Sequence, residues 1–184
     1  MKNLLSFAFI LMALVANAQY DPDYKKKIQP QQEDEHSPFN VGLGIGLDYG
    51  VIGAKVAGYP IERLGLFAGA GYNLLGVGYN FGAIGKILPR KRVCPYVTGM
   101  YGINAVIVVV GADEYNESYT GPTFGGGIEL RVGQNQNFMN FGLLVPVRSQ
   151  EFYDDWDIVN ANPTIETTDP LPVGLSIGYH FKFQ

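Results

Sequence analysis

From Asn40 to the end of the chain, bulky apolar residues alternate with small or polar ones at a spacing of two. Val41, Leu43, Ile45, Leu47 and Tyr49 alternate with Gly42, Gly44, Gly46 and Asp48. Near the C-terminus, Val173, Leu175, Ile177, Tyr179, Phe181 and Phe183 take one face, and Gly174, Ser176, Gly178, His180 and Lys182 the other. A helix would scatter either set around its axis, whereas a strand collects it on one side. Six further strands are expected at about 51–59, 64–72, 75–87, 94–110, 122–132 and 138–147.

The faces of four of these can be assigned. The fourth strand turns Val77, Tyr79, Phe81 and Ala83 away from Gly76, Gly78, Asn80, Gly82 and Lys86. The fifth sets Val97, Tyr101, Ile103, Ala105, Ile107 and Val109 against Tyr96, Thr98, Gly102 and Asn104. The sixth opposes Phe124, Ile128, Leu130 and Val132 to Thr123, Gly125, Gly127, Glu129 and Arg131. The seventh opposes Met139, Phe141, Leu143 and Val145 to Asn140 and Gly142. The pattern leaves the parity of the second and third strands open.

A water-soluble barrel would place the bulky residues inside and glycine outside, where glycine only weakens a strand. The reverse is expected here. Bulky residues face lipid, and small or polar ones face a narrow lumen. The expected fold is therefore all-β: an eight-stranded antiparallel up-and-down transmembrane β-barrel over residues 40–184, with an interior just wide enough for side chains to fill. The connections agree. Turns after even strands, at Pro60–Arg63, Leu88–Arg92 and Gly133–Asn137, are short. The long connections, 111–121 and 148–171, both follow odd strands. In an outer-membrane barrel the short turns are periplasmic and the long loops extracellular.

Charge sorts the same way. The long loops carry Asp113, Glu114, Glu117, Glu151, Asp154, Asp155, Asp157, Glu166 and Asp169 against Arg148, while Arg90, Lys91 and Arg92 share one short turn. Tyr72, Tyr79, Tyr101, Tyr179 and Phe183 fall near expected strand ends, where interface girdles belong.

Ahead of the barrel, Lys2, the apolar run Leu4–Ala16 and Ala16-Asn17-Ala18 read as a cleaved secretory signal over 1–18. Residues 19–39 are polar and interrupted by Pro22, Pro30 and Pro38, and are expected to be a flexible periplasmic extension. No later segment is apolar for long enough to form a spanning helix. The 24 glycines lack a collagen period, and the single Cys rules out a disulfide framework within the chain. With two His, a structural zinc site is not expected. A net charge of -4 argues against nucleic acid as a partner.

The signal ending Ala-Asn-Ala, the alternating strands and a last strand ending Tyr179-His180-Phe181-Lys182-Phe183-Gln184 resemble the small bacterial outer-membrane β-barrel proteins, the OmpX/OmpA-like group. The resemblance covers residues 40–184 and rests on pattern. It implies location in the bacterial outer membrane, contact with outer-membrane lipid, and Tyr179, Phe181 and Phe183 as the signal read by the barrel insertion machinery. Gln184 after the final Phe departs from the group's pattern.

Seven charged positions are expected to point inward: Asp48, Lys55, Lys86, Glu129, Arg131, His180 and Lys182. Such charges must be paired or solvated. They form either a structural salt-bridged plug or, alternatively, a narrow polar path or small-ligand cavity. Gly42–Gly46 and Gly125–Gly127 precede no helix pattern and make no phosphate cradle. Ser176 and His180 share a strand face about 13 Å apart at ~3.3 Å per residue, too far for a nucleophile and its base. No cofactor is expected. The acidic, aromatic stretch Phe152, Tyr153, Asp154, Asp155, Trp156 and Asp157 is a candidate extracellular loop contact for a surface or envelope protein partner. The expected function is non-enzymatic, structural or surface-interacting. The alternatives are a channel or ligand barrel, a subunit of a larger envelope or secretion assembly, and a lipid-modifying enzyme.

Overall fold

Eight strands hydrogen-bond in chain order into a closed antiparallel barrel, with β8 pairing back onto β1. They are β1 Phe39–Gly46, β2 Val51–Ile61, β3 Leu64–Tyr72, β4 Val77–Lys86, β5 Val93–Ile107, β6 Glu117–Arg131, β7 Phe138–Pro146 and β8 Gly174–Phe183. One α-helix, α1 Gln150–Asn160, lies among the described residues. The computed structural model describes residues 39–109, 115–132, 137–162, 165 and 169–183. The expected signal, 1–18, and most of the expected extension, 19–38, lie outside the described residues. Phe39, assigned from sequence to the extension, is the first residue of β1.

One register runs around the wall. Gly42 lies opposite Lys55 and His180, and its neighbour Val41 lies opposite Val56 and Phe181. A slip of one residue would exchange the two faces everywhere. In β2, Lys55, Ala57 and Tyr59 are buried while Ile52 and Val56 are exposed. In β3, Phe67 is buried while Leu64 and Leu66 are exposed. These observations fix the two parities that the pattern left open. Both chain ends of the barrel, Phe39 and Phe183, the turns at 62–63 and 87–92, the end of β6 and the start of β7 share one end, here called the terminal end. The turns at 47–50 and 73–76, the end of β5, the start of β6 and α1 share the far end.

The structure corrects the sequence reading at the far end in three places. First, β1 stops at Gly46, and Leu47–Tyr49 form a 3-10 turn that folds into the lumen. Gly46 has φ 145° and Gly50 has φ 70°, values that L residues rarely adopt, so the chain can dive inward and return. Tyr49, expected on the outward face, is 0% exposed.

Second, Ile103 pairs with Thr120 but Ala105 pairs with Tyr119, so Asn104 is an extra residue in β5. The bulge reverses the parity beyond it. Ala105 and Ile107, expected outward, join the inward face, and they and Val109 are buried. Ile103 is buried as well, at 6% exposure.

Third, residues 117–121 are strand rather than loop, and 150–160 are helix rather than loop. The β5–β6 hairpin projects past its neighbours, because β4 pairs with β5 only as far as Gly102 and β7 pairs with β6 only from Thr123. The inner side of this projection needs cover, and α1 supplies it. Ser149 caps α1 by accepting from Phe152 N at 3.2 Å. Phe152 and Val159 pack with Ala105, Ile107, Val109 and Tyr119, and Trp156 lies against the same cluster.

Candidate functional site

Two features stand out: a lumen packed with buried side chains and an apolar outer belt. Strand side chains and an in-folded turn both contribute to the lumen. Ala57, Tyr59, Phe67, Ile84, Tyr96, Met100 and Leu144 form an apolar cluster inside the barrel. The in-folded turn contributes Asp48 and Tyr49 from the far end. Inner-face glycines make the room. A Cβ on Gly178 would strike the Tyr49 hydroxyl, and one on Gly44 would sit 2.7 Å from Tyr49 Cζ.

The inward charges group into two pairs with separate surroundings. Lys55 Nζ donates to Asp48 Oδ2 at 2.5 Å, and Ser176 Oγ donates to Asp48 Oδ1 at 2.6 Å. Lys55 also stands 4.4 Å from the Tyr49 ring centre. Lys86 pairs with Glu129 at 2.7 Å and lies 4.0 Å from the centre of the Tyr59 ring. In each case the ammonium has a carboxylate on one side and an aromatic face on the other, which offsets part of the cost of removing both charges from water.

His180, 2% exposed, lies between these groups. Its Nε2 is 2.5 Å from the Tyr49 hydroxyl and its Nδ1 is 2.8 Å from Asn40 Oδ1. Its ring stacks on Phe138 at 4.6 Å between centres. The Tyr49 hydroxyl donates onward to Asn140 Oδ1 at 2.5 Å. β1, the in-folded turn, β7 and β8 are thus tied together across one lumen. Ser176 and His180 make separate contacts, the hydroxyl with Asp48 and the ring with Tyr49 and Asn40.

Of the seven expected inward charges, Asp48, Lys55, Lys86, Glu129 and His180 form this core. Arg131 and Lys182 sit apart, half-buried at the terminal end, where the Arg131 guanidinium donates to the Pro89 carbonyl. Tyr49, Tyr59, Phe67 and Phe138 are interior residues that the sequence reading did not assign there. Tyr59 carried a usable signal, since it stands four residues from Lys55 and so shares its face. Tyr49 carried none, because the turn that redirects it breaks the alternation.

The outer face is a continuous apolar surface. Leu43, Leu66, Val77, Phe124 and Leu175 are 60, 62, 78, 58 and 75% exposed. Ile45, Ile52, Phe81, Val97 and Ile177 are exposed between them. Tyr72 and Tyr79 lie toward the far end of the belt. At the terminal end, the rings of Phe39 and Phe183 are 6.3 Å apart, and those of Tyr179 and Phe181 4.9 Å apart. The proposed insertion-signal residues therefore belong to the rim of the belt: Phe181 and Phe183 are exposed and Tyr179 is half-buried.

The candidate loop contacts divide. Phe152 is 2% exposed and serves the packing of α1, so it is no surface contact. Trp156 is half-buried beside it, and Asp155 accepts from the Tyr119 hydroxyl at 2.7 Å. Tyr153, Asp154 and Asp157 remain exposed on the opposite face of α1, with Glu151 and Ile158. The residue spacing held the signal for this division: positions 152, 156 and 159 share one helical face.

Among the described residues no group of three or more His, Cys, Asp or Glu side chains is placed to hold a metal ion. Comparison with protein-family descriptions, with characterised proteins and with solved structures gives no match to this chain.

Proposed function

We propose that the protein is an integral β-barrel of the bacterial outer membrane, non-enzymatic, whose wall lies in lipid and whose far end meets a surface or envelope partner. The apolar belt carries this reading. Large exposed apolar patches on soluble proteins are rare, and here the exposed bulk runs around a barrel whose interior holds buried charges and amides beside an apolar cluster. In hydrocarbon that arrangement satisfies every requirement: the closed wall leaves no unpaired backbone edge, and the charges sit inside with partners. The strand lengths of 8 to 11 residues outside the projecting hairpin match a tilted span.

The filled lumen supports a structural role over a conducting one. The C-terminal strand, with Phe181 and Phe183 outward at its end, suits recognition by the barrel insertion machinery. The exposed face of α1, with Tyr153, Asp154 and Asp157, takes the place of the loop tip as the contact element.

The decisive measurement is gel migration of the purified protein with and without boiling, together with partition between aqueous and detergent fractions. A folded membrane barrel migrates differently before boiling and requires detergent or lipid. Recovery as a monodisperse aqueous species without detergent would refute the proposal. Planar-bilayer recordings should show no steady conductance steps.

A further inference from the structure

The terminal end of the barrel finishes in a basic rim. The β2–β3 turn holds Glu62 and Arg63, the β4–β5 connection holds Arg90, Lys91 and Arg92, and β6 ends at Arg131. Backbone and side-chain hydrogen bonds join these segments into one surface. Lys86 N donates to Arg63 O at 2.8 Å, and Arg131 N donates to Arg92 O at 2.9 Å. Arg90 Nε donates to Glu62 Oε1 at 2.9 Å. Glu62 is the one acid in these turns, since the nearby Glu129 is inside with Lys86.

Directly alongside, Ile61, Leu64 and Ile87 are 59, 45 and 53% exposed. Cations are thus placed at the edge of the apolar belt. A long cationic side chain in that position lays its methylenes along acyl chains and extends its head to the phosphate level. Each such charge near an anionic lipid surface favours association about fivefold. The far end has the opposite character, with Glu117, Glu151, Asp154, Asp157 and Asp169 exposed there. The barrel is therefore electrically polarised along its axis, and only one of its ends suits an anionic leaflet.

We propose that Arg63, Arg90, Lys91 and Arg92 bind the headgroups of anionic phospholipids in the leaflet at the terminal end. This rests on the membrane reading above, and the test separates the two. Ile87→Trp combined with Trp156→Phe places a single fluorophore beside the rim. The protein is reconstituted in vesicles of phosphatidylcholine and phosphatidylglycerol, with either one or the other brominated at equal mole fraction.

The expected result is stronger quenching by brominated phosphatidylglycerol, corresponding to a preference of about fivefold or more. The preference should fall severalfold in R63Q/K91Q, which keeps Arg90 and Arg92, and return with the charge-keeping pair R63K/K91R. Tyr72→Trp with Trp156→Phe reports on the far end and should show no preference. Equal quenching by both lipids beside Ile87 would overturn the headgroup site while leaving the membrane barrel intact. Quenching by neither lipid would overturn both.

Discussion

The Tyr49 hydroxyl lies 2.5 Å from His180 Nε2, across a sequence separation of 131 residues. The contact joins the first turn of the barrel to its last strand, and the same hydroxyl donates to Asn140 on β7. Barrel closure and the in-folded turn are therefore coupled through one phenol. Asp48 repeats the coupling one residue earlier, through Ser176 on β8.

Removal of that hydroxyl should be felt more strongly than its single atom suggests. Tyr49→Phe leaves buried partners on Asn140 and His180 unmatched, a loss of ~1–3 kcal/mol. Tyr49→Ala removes the ring as well and should cost ~3–5 kcal/mol. Urea unfolding in lipid vesicles measures both. Equal, negligible effects would mean that the turn is not seated in the lumen.

The outward parity of β8 gives a contrast between charge and size. Leu175 is 75% exposed, so Leu175→Arg changes no packing inside the barrel. In lipid it should cost less than the ~2–4 kcal/mol of a mid-depth arginine, because Leu175 lies toward the far end of β8, and Leu175→Phe should cost less still. In water the ranking would invert, with arginine the more soluble variant. Folding yield into vesicles, read by heat-modifiable migration, distinguishes the cases.

Most of the wall was legible in the sequence, because every strand but the second and third separates its two faces by chemistry alone. Val173 to Phe183 could be read without reference to any neighbour. The far end was not legible, and the reasons are local. The turn at Leu47–Tyr49 leaves the strand through a backbone angle at Gly46, and the run of alternating residues gives no sign of it. The extra residue at Asn104 reverses the inward set for Ala105 and Ile107 without altering the composition. Helix α1 was hidden by its acidity: Asp154, Asp155 and Asp157 suggest a solvated loop, while Phe152, Trp156 and Val159 mark the buried side. The inward charges could be recognised as a set, but their pairing depends on which strands become neighbours.

Helix α1 should detach without loss of the barrel. Phe152→Ala removes the buried anchor that meets Tyr119 edge-on at 5.3 Å, at a local cost of ~3–5 kcal/mol. Ser149→Ala removes the cap and should cost ~1 kcal/mol. Trp156, the sole Trp, packs against the same cluster and reports the change. Its emission should shift to longer wavelength and become accessible to acrylamide in the Phe152 variant, with gel migration of the folded barrel unchanged. Loss of the folded band would show that α1 supports the wall itself.

The Lys86–Glu129 pair tests whether the interior depends on charge or on matching. Both side chains are under 10% exposed, so neither loses its partner to water cheaply. Glu129→Gln leaves the Lys86 ammonium buried with an amide and the Tyr59 and Phe138 rings beside it, and breaking such a pair typically costs ~3–5 kcal/mol. Lys86→Met strands the carboxylate instead, with no aromatic face to soften the loss, and should be at least as damaging. The double variant K86M/E129Q removes both charges together. It should recover most of the stability, because the penalty of each single change lies in the charge it abandons. Urea unfolding of the four proteins in vesicles closes the cycle. Additive single effects would mean that each side chain reaches water independently, and that the lumen is wetter at its terminal end than the 2.7 Å contact implies.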